Sequence, residues 1–161
     1  MSYHIDIQNA CDEILPFSEE QMNAWITLPL KPQLLSAELT LRFVNIQEMT
    51  TLNHTYRKIN TSTNVLAFPA TYPKDLPLDY PFLGDIVVCP DVLLKESQSL
   101  NKSLNAHWAH ILIHGVLHLL GYDHIKEDDT IIMQSIESQL LAVLGFDNPY
   151  ESTQTEANKI E

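Results

Sequence analysis

The eleven residues His114-Gly-Val-Leu-His118-Leu-Leu-Gly121-Tyr-Asp-His124 limit what this chain can become more than any other stretch. Apolar residues at helical spacing predict a helix over about 104–120, ending at the glycine Gly121. Four of the seven histidines, His107, His110, His114 and His118, lie on that helix. At about 100° per residue they occupy roughly an 80° stripe. A catalytic zinc takes three protein ligands and leaves one position for water. Two histidines at i and i+4 present their rings on one side of a helix, about one turn apart. A third must come from elsewhere, and a glycine turn at Gly121 lets the chain double back so that His124 supplies it.

A lone histidine on an apolar helix face more often packs than ligates, and His110 with His114 is also an i, i+4 pair. The turn decides for His114 and His118, the pair nearest His124. His107 and His110 are then expected to pack behind the ligands or to hydrogen-bond to them. The spacing matches that of the zinc helix of metzincin proteases, which carry glutamate directly after the first histidine as general base. Here that position is Gly115. The protease mechanism cannot simply be carried over. Either another group handles the proton or the metal acts with less help.

The rest of the chain reads as a scaffold for this helix. Residues 3–8 and 37–44 alternate apolar and polar as half-buried strands do, with Leu39, Leu41 and Phe43 on one face of the second. Residues 64–68 form a short strand, and 84–89 an apolar run suited to a buried one. Ser18 can open a helix to about Leu28, stopped near Pro29. Asn45 caps a helix to about Arg57, with Glu48 placed as in a capping box. Further helices are expected over about 90–100 and 127–144, the last stopped by Gly145. A segment with Pro69, Pro73, Pro77 and Pro81 is too proline-rich for helix or central strand. Four strands interleaved with five helices imply a sheet layered with helices, α/β or α+β. One domain over 1–150 is expected, followed by a flexible polar tail over 151–161.

Composition excludes several classes. No run of about 18 apolar residues is present and the N-terminus has no signal-peptide pattern, so a cytoplasmic protein without a membrane span is expected. Cys11 and Cys89 form no CxxC pair and read as reduced thiols. The net charge is −12, with nine Lys and Arg against 21 Asp and Glu, which argues against a broad nucleic-acid-binding face. A small local cationic site remains open to Arg57, Lys58 and Arg42. Arg57 and Lys58 end a helix, where they serve as phosphate partners or as partners of the helix dipole. Asp85 is a strand-end cap or a site residue, and Asp123 orients a ligand or caps the turn.

The sequence resembles the bacterial YbeY endoribonuclease family. The likeness rests on HGVLHLLGYDH at 114–124 and extends to TNVLAFP at 63–69, GDIVVCP at 84–90 and the Asn53…Tyr56-Arg57 stretch. It implies an α+β single domain with a small mixed sheet. It implies Zn2+ bound by His114, His118 and His124, and metal-dependent cleavage of single-stranded RNA, with His114 and Arg57 as catalytic residues. Arg57, with Lys58, would engage the scissile phosphate. It further implies maturation of the 3′ end of the small-subunit 16S ribosomal RNA and ribosome quality control, with a small-subunit ribosomal protein and an assembly GTPase as partners. The family commonly has Asp and Ser where this chain has Asn64 and Ala67, which puts a polar role for those positions in question. Two other readings are a metalloprotease-like hydrolase on the same zinc scaffold, and a non-catalytic assembly factor whose metal is closed by a fourth ligand such as Asp85 or Cys89.

Overall fold

Strict alternation in Ser36–Phe43 makes this strand, β2, the centre of the sheet: Ala37, Leu39, Leu41 and Phe43 are buried and the residues between them are not. The computed structural model describes residues 2–71 and 81–150. β1 (Ser2–Asn9) runs parallel to β2, pairing Ser2 with Ser36 and Asn9 with Phe43. β4 (Phe82–Val88) pairs with the other side of β2 in parallel, and β3 (Val65–Pro69) closes the edge antiparallel to β4. The order is β1-β2-β4-β3, a mixed four-stranded sheet. The register shifts between Glu38 and Thr40, opposite Gly84. Gly84 has φ +133°, and a Cβ there would stand 2.2 Å from the Phe68 carbonyl oxygen, so only glycine lets β3 and β4 meet at this irregularity.

The helices among the described residues are α1 (Glu19–Leu30), α2 (Ile46–Arg57), α3 (Pro90–Ser99), α4 (Leu104–Leu119) and α5 (Glu127–Val143). Alternation along β3 and β4 sorts them between the two faces. Ile86, Val88, Val65 and Ala67 face a large core shared with α1, α4 and α5. Leu66, Phe68 and Val87 face a second cluster built around Met49 of α2. The α+β domain of four strands and five helices is as the sequence implies. Most boundaries fall within two residues of expectation. α1 runs through Pro29 because a proline in the last turn forfeits little while it completes the buried stripe of Met22, Trp25 and Ile26. Pro69, read as loop, ends β3, which is an edge strand and tolerates it. Pro73, Pro77 and the tail 151–161 lie outside the described residues.

Helix α4 is apolar nearly all round because it is enclosed nearly all round. The sheet lies beneath it, and α1, α3 and α5 border it. It comes closest to the sheet at Gly115, where a Cβ would stand 2.9 Å from Ile86 Cγ2 and 3.5 Å from Val65 Cγ2. Both cysteines are unbridged, and Cys89 is fully buried in the α2 cluster.

Candidate metal centre

α4 begins at Ser103, whose hydroxyl accepts from the Ala106 amide, and ends in a left-handed glycine turn. Gly121 has φ +104°, its N–H donates to the His118 carbonyl, and the Tyr122 N–H donates to the Leu117 carbonyl. This pattern satisfies the last carbonyls of the helix while reversing the chain. Three residues on, the His124 ring lies 5.2 Å from that of His118 and 5.7 Å from that of His114. Asp123 caps the bend by accepting from the Ile125 amide at 3.2 Å. The glycine turn therefore brings His124 back over the helix end as its position in the sequence suggested.

His114, His118 and His124 each offer a ring nitrogen, and these nitrogens lie within 4.8 Å of one another. The Nε2 atoms of His114 and His118 are 3.1 Å apart. Two ligands of one tetrahedral ion at about 2.05 Å would stand about 3.3 Å apart, so this spacing suits a shared metal. Burial, and then the neighbouring His114 and His124, push the His118 pKa down to about 4. The ring is thus neutral at pH 7, as a metal ligand must be. Among the described residues the group contains no fourth donor. Cys89 lies in the cluster on the other face of the sheet, and Asp85, next to Ile86 in β4, projects to that face as well. The donor set fits a zinc-type ion with an open position, and the centre opens on a cavity of about 370 Å³ walled by His114, His124, Met133, Glu137 and Tyr150.

Behind the triad lies a carboxylate that sequence reasoning did not find. Glu137 of α5 is 0% exposed, and its Oε2 accepts from His114 Nδ1 at 2.7 Å. Its Oε1 accepts from the Tyr150 hydroxyl at 2.7 Å. Burial acts to raise the Glu137 pKa, but His110 and His114 beside the carboxylate outweigh it and hold the carboxyl at about 2. A signal existed in the sequence: Met133, Glu137 and Leu141 form one i, i+4 stripe, and all three are buried. An acid in the middle of an apolar stripe needs a partner.

The other candidate residues separate. His110 Nε2 lies 2.9 Å from the Tyr150 hydroxyl and 3.3 Å from Glu137 Oε2, and burial lowers its pKa. His107 belongs to a different network, with Nε2 at 2.8 Å from Glu96 Oε1. Asn64 has a polar role after all, donating to Glu96 at 3.2 Å while its own Oδ1 accepts from the Val65 amide. Ala67 packs into the core beneath α4. Arg42 does not join the centre, because it pairs with Glu48 at 3.0 Å and bonds Gln8 at 3.2 Å. Lys58 caps α2 in left-handed conformation, and its ammonium donates to the Thr55 carbonyl at 3.0 Å, the helix-end role. Arg57 is exposed on the last turn of α2, with no hydrogen bond or ion pair among the described residues. No helix among those residues is long and apolar enough to cross a membrane.

The family model described as endoribonuclease YbeY matches residues 5–145. This chain belongs to that family. A relative named endoribonuclease YbeY, from Legionella pneumophila (strain Corby), is 58% identical over 161 residues and covers all of both chains. Another of that name, from Pseudomonas putida, is 47% identical over 152 residues, 94% of this chain and 96% of its own. The solution structure of TM1509 from Thermotoga maritima shares the fold, with TM-score 0.57 and 22% identity over 86% of this chain and 91% of that one. Within this chain, Gly115 is the residue where a protease would hold its glutamate. It faces the sheet with no room for a side chain, so the protease general base has no counterpart there.

Proposed function

We propose that this chain is a zinc-dependent endoribonuclease that cleaves single-stranded RNA, acting in maturation of the small-subunit ribosomal RNA 3′ end and in ribosome quality control. The observation that carries the reading is the convergence of three imidazoles on one open corner, with ring nitrogens within 4.8 Å of one another. The names of the Legionella and Pseudomonas relatives support an RNA substrate.

His114, His118 and His124 hold the ion. When bound, it supplies Lewis acidity toward a phosphoryl oxygen and activation of water near neutral pH. Arg57 meets the phosphate. Its support is twofold: its guanidinium has no competing partner among the described residues, and the end of α2 meets the same edge strand on which α4 rests. That meeting is the edge-to-face contact of Tyr56 with Phe68 of β3, ring centroids 5.0 Å apart. A fork of N–H donors there stabilises charge growing on the phosphoryl group. Lys58 adds a second positive charge beside it. With so few cations, affinity for the ribosomal substrate comes in part from a small-subunit ribosomal protein and an assembly GTPase, in the cytoplasm.

The test is incubation of zinc-loaded protein with single-stranded RNA and, separately, with a peptide. RNA is expected to be cut and the peptide spared, with cleavage lost in His114→Ala. Arg57→Ala is expected to lower RNA cleavage about 100-fold, in line with loss of one charge-stabilising donor, without releasing zinc. Equal cleavage by Arg57→Ala would remove that residue from the mechanism. Peptide hydrolysis, or no RNA cleavage by the zinc-loaded chain, would overturn the reading.

A further inference from the structure

The hydrogen bonds around Glu137 can be directed one way only. A carboxylate has no proton to give, so both of its short contacts are acceptances. The Tyr150 hydroxyl therefore spends its single proton on Glu137 Oε1, at 2.7 Å. Its oxygen is left as an acceptor toward His110 Nε2, at 2.9 Å, which must then carry the hydrogen. On the other side His114 Nδ1 must carry the hydrogen it donates to Glu137 Oε2 at 2.7 Å. In a neutral ring that leaves His114 Nε2 with a bare lone pair, and this is the nitrogen facing His118. The alternative tautomer would put a proton where a metal must bind.

Among the described residues, His110 is the competitor. Its Nε2 lies 3.3 Å from the same Oε2 that His114 uses. The Tyr150 hydroxyl stands closer to it and takes up its hydrogen bond, while also holding the other carboxylate oxygen in place.

We propose that Glu137 and Tyr150 are a pair of positioning residues for the metal centre: Glu137 fixes the His114 tautomer, and Tyr150 anchors Glu137 and diverts His110 from it. This rests on His114 being a metal ligand. It assigns work to the segment following α5, since Tyr150 reaches back from beyond that helix to a carboxylate within it. Partners of this type change metal affinity about 10–100-fold when removed.

The experiment uses the full chain and two variants, Glu137→Gln and Tyr150→Phe, both close in size to the originals. Ring 15N shifts of His114 in metal-free protein read the tautomer directly, and competition with a chromophoric chelator gives the zinc affinity. Wild type is expected with the hydrogen on Nδ1. Glu137→Gln is expected to place a substantial fraction of it on Nε2 and to weaken zinc 10–100-fold. Tyr150→Phe is expected to keep the tautomer but to weaken zinc severalfold, as His110 turns onto Oε2. Merely structural roles would lower the melting temperature and leave tautomer and zinc affinity untouched, and that result, or a wild-type His114 protonated on Nε2, overturns the proposal. A wild-type chain with the Nδ1 hydrogen in place that binds no zinc overturns the metal reading instead.

Discussion

Gly115 carries more information than its missing side chain suggests. It follows His114, where a protease of this spacing would keep its base, and it is also the point at which α4 rests on the sheet. A Cβ there already stands 2.9 Å from Ile86 Cγ2, the stiff branch of a fully buried side chain. Gly115→Glu must therefore both overpack the core and bury a carboxylate, a cost of more than about 3 kcal/mol. Urea unfolding of the variant should show that loss, and its zinc-loaded form should gain no peptide hydrolysis. Stability within about 1 kcal/mol of wild type would mean that α4 can lift off the sheet. This reason for the glycine was invisible in the sequence, because it depends on which strand residue lies under the helix. The convergence of His114, His118 and His124 was legible, since two sit at local spacing and the third follows a local turn. Glu137 and Tyr150 were not, since they come from elements that meet α4 only through tertiary packing.

At the scale of elements, the glycine turn closing α4 can be isolated from its effect on stability. Gly121 and Gly145 end α4 and α5 in the same way, with φ of +104° and +87°, and a Cβ at either would meet nothing within 4 Å. The hydrogen bonds match too: after Gly145 the Phe146 N–H returns to the Leu141 carbonyl, as Tyr122 does to Leu117. Alanine at either position costs about 1–2 kcal/mol of backbone strain and nothing in contacts. Only Gly121 leads into the histidine cluster, at His124. Gly121→Ala and Gly145→Ala should therefore lose similar melting temperature, while zinc affinity falls about tenfold or more in the first and stays level in the second. Equal zinc affinities would mean that His124 is placed by Asp123 and the start of α5 rather than by the turn. Three of the helices, α1, α2 and α4, were readable because a side chain caps each locally. Ser18, Asn45 and Ser103 accept from the amides of Gln21, Glu48 and Ala106. The capping box at Asn45 is half formed because Glu48 turns its carboxylate to Arg42 on β2, a partner that local spacing could not announce.

For the whole molecule the governing quantity is charge. Nine Lys and Arg against 21 Asp and Glu leave the chain at −12, an unpromising partner for RNA. The fold narrows the supply of cations further: Arg42 is spent on Glu48, and Lys126 opens α5 directly ahead of Glu127, Asp128 and Asp129. Arg57 and Lys58 remain as the cations proposed for the substrate. Single-stranded nucleic acid releases counterions such that log K falls with log salt by about 0.7 per phosphate neutralised. Two contacts give a slope of about −1.4, shallow for an RNA-binding protein. Fluorescence anisotropy of a labelled single-stranded RNA, titrated with zinc-loaded wild-type protein over a salt series at a temperature where cleavage is slow, should return that value. Arg57→Ala should bring the slope to about −0.7. A wild-type slope of about −4 or steeper would mean that more cations than Arg57 and Lys58 meet the RNA, and the account of substrate binding by these two would fall with it.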